Sequence, residues 1–164
     1  MRIPIIVAAL TVALPVACKR DRQLVADNPA NWSVSSVSGL LQPGSIDTVR
    51  FAAVLDSGWY IYSLTQKPGG PTPMSVSIAP SPPFTLVGNV AGPRPVIVFD
   101  KEFNIDTERY VGSPAFSAIV GVAPGAAGRP PSLDVKVRYQ ACNATLCLPA
   151  STATLTTPVR IATP

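Results

Sequence analysis

Residues 132–141 of this 164-residue chain, SLDVKVRYQA, show its clearest alternation of apolar and polar side chains. The apolar and aromatic side chains of this stretch stand at every second position: Leu133, Val135, Val137, Tyr139 and Ala141. A period of two residues is typical of a β-strand with one buried face, because successive side chains point to opposite sides of a sheet. The stretch therefore predicts a half-buried strand.

Further strands are predicted on both sides of this one. Residues 45–55, SIDTVRFAAVL, place Val49, Phe51, Ala53 and Leu55 on one face. Shorter segments of the same character are separated by proline and glycine turns: WSVSSV (32–37), WYIYS (59–63), MSVSI (74–78), FTLV (84–87), VIVF (96–99), ERYV (108–111), AFSAIVGV (115–122) and STATLTTPVRI (151–161). About nine or ten short strands without helical periodicity predict an all-β fold, an antiparallel β-sandwich.

The N-terminus is predicted to be a signal peptide, residues 1–17. Arg2 precedes the apolar run IPIIVAALTVALPV, which is too short to span a bilayer comfortably and is followed by charged residues. We therefore expect export to the periplasm. Residues 18–31 are polar and are interpreted as a tether, which leaves residues 32–164 for the folded domain.

Cys18 follows the apolar run directly, with alanine before it. This position resembles a bacterial lipoprotein cleavage site, at which Cys18 would carry acyl chains that anchor the protein to the membrane. Ordinary cleavage nearby is the alternative. Lipidation would explain the odd number of cysteines, since the chain has three and an unpaired exposed thiol is a liability in an oxidising compartment.

The other two cysteines, Cys142 and Cys147, stand in YQACNATLCLP, residues 139–149, on either side of a short loop. The flanking strand signals bring them within disulfide distance. The ring is small, so closing it removes little entropy from the unfolded chain. The disulfide should therefore raise the free energy of unfolding by only about 2 kcal/mol. The residues alone leave a structural staple and a reversible redox couple as alternatives.

The composition excludes several other functions. The chain has no histidine, so Ser-His-Asp and Cys-His hydrolase sites are excluded, and too few ligands remain for zinc. We expect no metal and no cofactor. The net charge of +4 is spread without a basic cluster beyond KRDR, so nucleic acid is not an expected partner. Four carboxylates near one turn are interpreted as a solvated loop: Asp100, Glu102, Asp106 and Glu108.

A positive charge close to the cysteines would favour the thiolate form of a reduced pair. The alternation in residues 132–141, continued by one residue, puts Arg138 on the same face as Cys142, and we expect it to be the only nearby cation that could favour a thiolate. Without a local histidine, the pair is better suited to be attacked when oxidised than to attack when reduced.

Three stretches resemble the N-terminal periplasmic domain of the DsbD thiol:disulfide interchange family. YQACNATLCLP resembles the active-site hairpin of that family. GWYIYS with PGGPTP (58–63 and 68–73) resembles its early strand and loop, and DKEFNIDTERYVG (100–112) resembles its cap region. The resemblance extends over about residues 32–159.

The resemblance implies an immunoglobulin-like β-sandwich in which Cys142 and Cys147 shuttle electrons. A thioredoxin-like protein or a membrane electron carrier would reduce the pair, which would then reduce client disulfide oxidoreductases. Phe103 would be the cap aromatic that shields the pair, with Glu102 before it. Tyr139 and Gln140 would support the first cysteine.

The sequence departs from the family pattern at two places. Four residues separate the cysteines, where some members have five, and Asn104 stands where the family has a cap tyrosine. The sequence ends at Pro164 without the electron-transfer and thioredoxin-like domains, so we expect a stand-alone protein that takes electrons from another polypeptide. The alternative is an exported binding or scaffold module on the same sandwich, with the disulfide as a staple.

Overall fold

The structure, a computed structural model, describes residues 28–35, 39–78, 83–126 and 132–163. The predicted signal peptide, Cys18 and most of the predicted tether lie outside these residues. Regular structure in the described ranges consists of β-strands, which confirms the all-β prediction. No helix in those ranges is long and apolar enough to cross a membrane.

Thirteen strands run through the described residues. In chain order they are β1 (Ala30–Val34), β2 (Leu40–Leu41), β3 (Ile46–Leu55), β4 (Tyr60–Tyr62), β5 (Ser75–Ile78), β6 (Phe84–Ala91), β7 (Val96–Asp100), β8 (Ile105–Val111), β9 (Ala115–Val122), β10 (Ser132–Tyr139), β11 (Ala141–Cys142), β12 (Ser151–Pro158) and β13 (Arg160–Ile161). The number exceeds the predicted nine or ten because two predicted segments each divide into two strands, and because the two-residue strand β2 carries no alternation to reveal it.

The strands form an immunoglobulin-like antiparallel β-sandwich. One sheet has the order β1-β3-β9-β6, a second has the order β12-β10-β5, and a third has the order β11-β4-β8-β7. A short parallel pair joins β13 to β2. One continuous cluster of buried apolar side chains fills the space between the sheets.

The two long alternating stretches supply much of this core. The predicted inward faces of β3 and β10 are buried: Val49, Phe51, Ala53 and Leu55 on β3, and Leu133, Val135, Val137 and Tyr139 on β10. Trp32 on β1 packs against Tyr139 with ring centroids 5.3 Å apart and against Phe116 at 6.0 Å. Burial of each large side chain contributes about 1.5–3 kcal/mol to the free energy of folding. Because a shift by one residue would turn all of these side chains to the other face, the alternation is sufficient to fix the register of the strands.

The chain changes sheets at Gln140. β10 pairs with β5 and β12, but β11 pairs with β4 in the third sheet. The prediction that Arg138 and Cys142 share a face of one strand is therefore wrong. Arg138 lies opposite Ser75, whereas Cys142 lies opposite Tyr60. The alternation of side chains continues across Gln140 in the sequence, but the backbone acquires a different hydrogen-bonding partner there.

A hydrogen-bonded carboxylate fastens β4 to β8. Ser63 Oγ donates to Glu108 Oε2 at 2.6 Å, and Thr65 Oγ1 donates to the same oxygen. The backbone N–H of Glu108 donates to Gln66 Oε1 at 2.8 Å. The hydroxyl donors, Ser63 first and Thr65 second, hold the pKa of the Glu108 carboxyl below its ordinary value. Glu108 is therefore part of the fold rather than of a solvated loop.

The depressed pKa of Glu108 makes part of the stability dependent on pH. Because the charged form is favoured in the folded protein, its contribution is present above the unfolded pKa of about 4.3 and is lost as the pH falls through the folded pKa. We expect the unfolding free energy of Glu108→Gln to fall less steeply below pH 5 than that of the wild type, measured by denaturant titration. Glu102→Gln, which removes an exposed carboxylate, is the control, and a wild-type slope in Glu108→Gln would contradict the assignment.

Candidate functional site

The two cysteines close a tight hairpin formed by residues 141–148. Cys142 and Cys147 form a β-bridge, the N–H of Asn143 donates to the carbonyl of Leu146 at 2.9 Å, and the N–H of Leu148 donates to the carbonyl of Ala141 at 2.9 Å. Within the loop, Asn143 Oδ1 accepts hydrogen bonds from the backbone N–H groups of residues 145 and 146 at 2.8 and 3.0 Å. Asparagine favours such turns because its side chain reaches the backbone two residues on.

Cys142 and Cys147 are joined as a disulfide, with their Cα atoms 4.0 Å apart. The two residues differ in exposure. Cys142 is fully buried, whereas Cys147 is exposed and lines a surface groove. A nucleophile from another molecule therefore has access to the Cys147 side of the bond.

The register of the third sheet places aromatic and charged side chains beside the disulfide. Cys142 lies opposite Tyr60, and Tyr62 lies opposite Arg109 on the next strand. Residues opposite each other in an antiparallel pair, and residues two apart on one strand, point to the same face. Cys142, Tyr60, Tyr62 and Arg109 therefore share one face of the sheet, while Ile61 points into the core.

The groove has a volume of about 580 Å³ and lies between the cysteine hairpin and the turn that joins β7 to β8. Its lining combines aromatic, charged and loop residues: Tyr60, Tyr62, Phe99, Asp100, Lys101, Glu102, Phe103, Arg109, Asn143, Ala144, Thr145, Leu146 and Cys147. The structure thus brings the predicted cap residues Glu102 and Phe103 to the same groove as Cys147.

The cap is a short turn, which we define as residues 101–104. The predicted charged loop is therefore mostly strand, since β7 extends to Asp100 and β8 starts at Ile105. Asp100 Oδ1 accepts hydrogen bonds from the N–H groups of Glu102 at 3.0 Å and Phe103 at 3.4 Å. The Phe103 side chain is 41% exposed, so it is not an ordinary core residue.

Asn104 closes the cap turn with a positive φ of 56°. Asparagine tolerates this left-handed conformation far better than a bulky residue does. Asn104 occupies the position that holds a cap tyrosine in the family pattern, and here it allows the backbone to turn. The neighbouring Phe103 is the aromatic side chain that the turn contributes to the groove.

Arg109 is the residue that the sequence analysis missed. Its Nη2 donates to Asp100 Oδ2 at 2.7 Å, its Nε donates to Thr107 Oγ1 at 3.0 Å, and its guanidinium carbon lies 4.2 Å from the centre of the Tyr60 ring. The Asp100 and Arg109 side chains are only 10% and 15% exposed. Asp100 therefore belongs to a partly buried ion pair and not to a solvated loop. No signal within one segment reveals this arrangement, because it depends on how β4, β7 and β8 pair.

The two residues expected to support the first cysteine occupy different places. Tyr139 is buried in the core, and its hydroxyl accepts a hydrogen bond from Asn28 Nδ2 at 2.6 Å. Gln140 Nε2 donates to the carbonyl of Leu148 at 3.1 Å. Gln140 thus closes the base of the cysteine hairpin, while Tyr139 anchors the strand that leads into it.

Tyrosine, carboxylate, lysine and arginine side chains are the titratable groups that line the groove. Burial, followed by a hydrogen bond with Tyr60, raises the pKa of Tyr62 above its ordinary value, so its phenol stays neutral. No three histidine, cysteine or carboxylate side chains in the described ranges come together as metal ligands. The disulfide is the group in this groove that can exchange with thiols.

Comparison with known proteins identifies a family and solved chains that align with this one, among them the following two. Residues 22–158 match the family described as "Thiol:disulfide interchange protein DsbD, N-terminal". No curated protein matches the chain. The N-terminal periplasmic domain of ScsB from Proteus mirabilis aligns at a TM-score of 0.53 and 14% identity over 79% of this chain and 46% of that chain. A family 123 glycoside hydrolase from Clostridium perfringens aligns at 0.40 and 8% identity over 82% and 28%.

The likeness to the ScsB domain concerns the fold alone. At 14% identity, the ScsB domain shows a similar fold and no more. The chain spans less than half the length of either solved chain. The family match covers most of the chain and includes the cap turn and the cysteine hairpin.

The small ring predicts a small contribution of the disulfide to stability. A double Cys142→Ala, Cys147→Ala variant should stay folded and lose about 2 kcal/mol of unfolding free energy, because a ring closed over a sequence separation of 5 removes little entropy from the unfolded chain. Denaturant unfolding of the oxidised wild type and the variant measures the difference. A loss above about 4 kcal/mol, or failure to fold, would identify the bond as a structural staple.

Proposed function

The chain belongs to the family of DsbD N-terminal domains, and on that premise we propose that it exchanges thiols and disulfides through Cys142 and Cys147. The observation that carries the proposal is the asymmetry of the disulfide: a fully buried Cys142 is bonded to an exposed Cys147 that lines the groove under the cap turn. A staple needs no such access, whereas exchange requires one reachable sulfur.

The proposed reaction begins outside this chain. A thiolate of a dithiol protein attacks the Cys147 sulfur, the bond to Cys142 breaks, and Cys142 leaves as a thiolate. The second thiol of the partner then attacks the mixed disulfide and releases Cys147. The partner is oxidised to a disulfide, and this chain gains two electrons and two protons at near-neutral pH. The reduced pair then reduces a client disulfide by the same steps in reverse order.

In the reduction of this chain the partner supplies the nucleophile, since the chain has no histidine to activate one of its own thiols. In the reduction of a client, the Cys147 thiolate is the nucleophile. We propose that the reductant is thioredoxin-like or a membrane electron carrier, that the clients are disulfide oxidoreductases, and that exchange takes place in the periplasm. We also propose that acyl chains on Cys18 hold the domain at the membrane.

Variants that keep one cysteine of the pair, made in a Cys18→Ser background because the chain has three cysteines, test which sulfur is the point of entry. Cys142→Ser leaves the exposed Cys147, and it should form a mixed disulfide with a thioredoxin variant that keeps only its nucleophilic cysteine, activated as a nitrothiobenzoate disulfide. Cys147→Ser leaves the buried Cys142 and should react at least about tenfold more slowly, because reactivity follows thiolate access. Non-reducing electrophoresis and peptide mass mapping measure both adducts.

Two outcomes of the comparison between Cys142→Ser and Cys147→Ser would contradict the proposal. Equal rates in the two variants would contradict the assignment of Cys147 as the entry sulfur. No adduct in either variant, with both folded and both thiols titratable in denaturant, would contradict thiol exchange with thioredoxin-like proteins and favour the scaffold alternative.

Phe103 is proposed to act as a lid over the disulfide. Because its side chain is 41% exposed, Phe103→Ala should cost less than about 2 kcal/mol, compared with about 3–5 kcal/mol for a buried phenylalanine. The same variant should be reduced by dithiothreitol at least about threefold faster, since small thiols gain access to Cys147. Thermal unfolding and stopped-flow reduction measure the two effects.

Ile97→Ala is the control for Phe103→Ala. Ile97 is an exposed apolar residue of the same hairpin, and it does not line the groove. Ile97→Ala should leave the rate of disulfide reduction by dithiothreitol unchanged. Lost stability in Phe103→Ala together with an unchanged reduction rate would contradict the lid.

A further inference from the structure

We propose that Arg109 sets the redox equilibrium of the Cys142–Cys147 pair, by stabilising the thiolates that reduction of the disulfide releases. The biological sense of this inference rests on the proposed thiol exchange, but its test requires no protein partner. Arg109 makes no bond in the reaction and acts through its charge, so it is an electrostatic positioning residue and not a catalytic one.

The guanidinium is fixed by three contacts on three sides. Asp100 binds it at 2.7 Å, Thr107 at 3.0 Å, and the Tyr60 ring faces it at 4.2 Å. Thr107 is itself fully buried and donates to the carbonyl of Val98 at 2.9 Å. These contacts hold the cation in one position on this face of the sheet.

The sheet register places this cation on the same face of the third sheet as Cys142. Tyr60 lies directly opposite Cys142 on the neighbouring strand, and the Arg109 guanidinium lies over the ring of that same tyrosine. Arg109 and Cys147 also line the same groove. The charge therefore lies on the face of the sheet where reduction creates negative sulfur.

The other charged and titratable groups of the groove differ from Arg109 in exposure or sign. The strand β4 contributes the phenols Tyr60 and Tyr62, and the cap turn contributes Lys101 and Glu102, which are exposed and of opposite charge. Water and salt screen exposed charges far more than partly buried ones. Asp100 offsets part of the Arg109 charge, so removing the carboxylate should strengthen the effect of the cation.

Reduction of the pair is the step on which this charge acts. A dithiol, or two molecules of glutathione, donates two electrons, the bond between the two sulfurs breaks, and the donor becomes a disulfide. Below the pKa of the thiols the product takes up two protons and is neutral, so Arg109 has little to stabilise. Above that pKa the product carries thiolates, and the cation favours the reduced form.

The test is the equilibrium constant for reduction by glutathione at pH 6 and at pH 9. Arg109→Gln should lower the constant about 3- to 10-fold at pH 9 and leave it unchanged at pH 6. A tenfold change corresponds to about 30 mV for this two-electron couple. The thiolate absorbance of the reduced protein should show a thiol pKa raised by about 0.5 to 1, the same change in free energy.

Two further variants separate charge from structure. Asp100→Asn keeps an oxygen that accepts the N–H groups of the cap turn but removes the negative charge, so it should raise the constant at pH 9. Arg109→Lys keeps the positive charge and loses the planar fork, so it should retain more than half of the wild-type effect. Each variant is first shown to unfold cooperatively.

Three results would overturn the inference: an equal shift at both pH values in Arg109→Gln, which indicates a structural effect; no shift at either; or a change of the same sign in Asp100→Asn and Arg109→Gln. Because glutathione replaces the protein partner, these results are independent of the adduct experiment. An inert protein with an Arg109-dependent thiol pKa would refute the proposed exchange and leave this inference standing.

Discussion

The antiparallel pairing of β11 with β4 is the interaction on which the site depends. It takes the chain out of the sheet that contains β10 and sets Cys142 opposite Tyr60. The core on the other side of that sheet, with Ile61 and Ala141 buried, holds the pair in register, since a slip of one residue would turn Cys142 inward and an apolar side chain outward. The short loop then leaves Cys147 at the surface, so burial of one cysteine and exposure of the other follow from one crossing.

The carboxylate of Asp100 binds both the cap turn and Arg109. Asp100 uses one oxygen to receive the N–H groups of the turn and the other to bind Arg109. The turn that carries Phe103 and the cation that lines the same groove as Cys147 are therefore held by the same side chain. Such charge-assisted hydrogen bonds are stronger than neutral ones, so this carboxylate fixes the turn and the cation relative to each other.

Much of the fold could be predicted from the sequence, and less of the site. The alternation in β3 and β10 indicates both strand and buried face, because a period of two leaves a large free-energy difference between the two registers. The cysteine spacing indicates a hairpin. Arg109 could not be found in this way, since its role depends on the pairing of strands that are distant in sequence. Arg138 was wrongly preferred because alternation along a chain does not report where the backbone changes partner.

We propose that the Cys142–Cys147 disulfide is a reversible couple and not a staple. Its reduction potential, measured by equilibration with a thioredoxin of known potential, tests this most directly. A couple that exchanges electrons with thioredoxin-like proteins should have a potential near or above that of thioredoxin, about −270 mV, and should reach equilibrium from both directions. A potential below about −300 mV, with no reduction by thioredoxin, would contradict the claim and identify a structural disulfide.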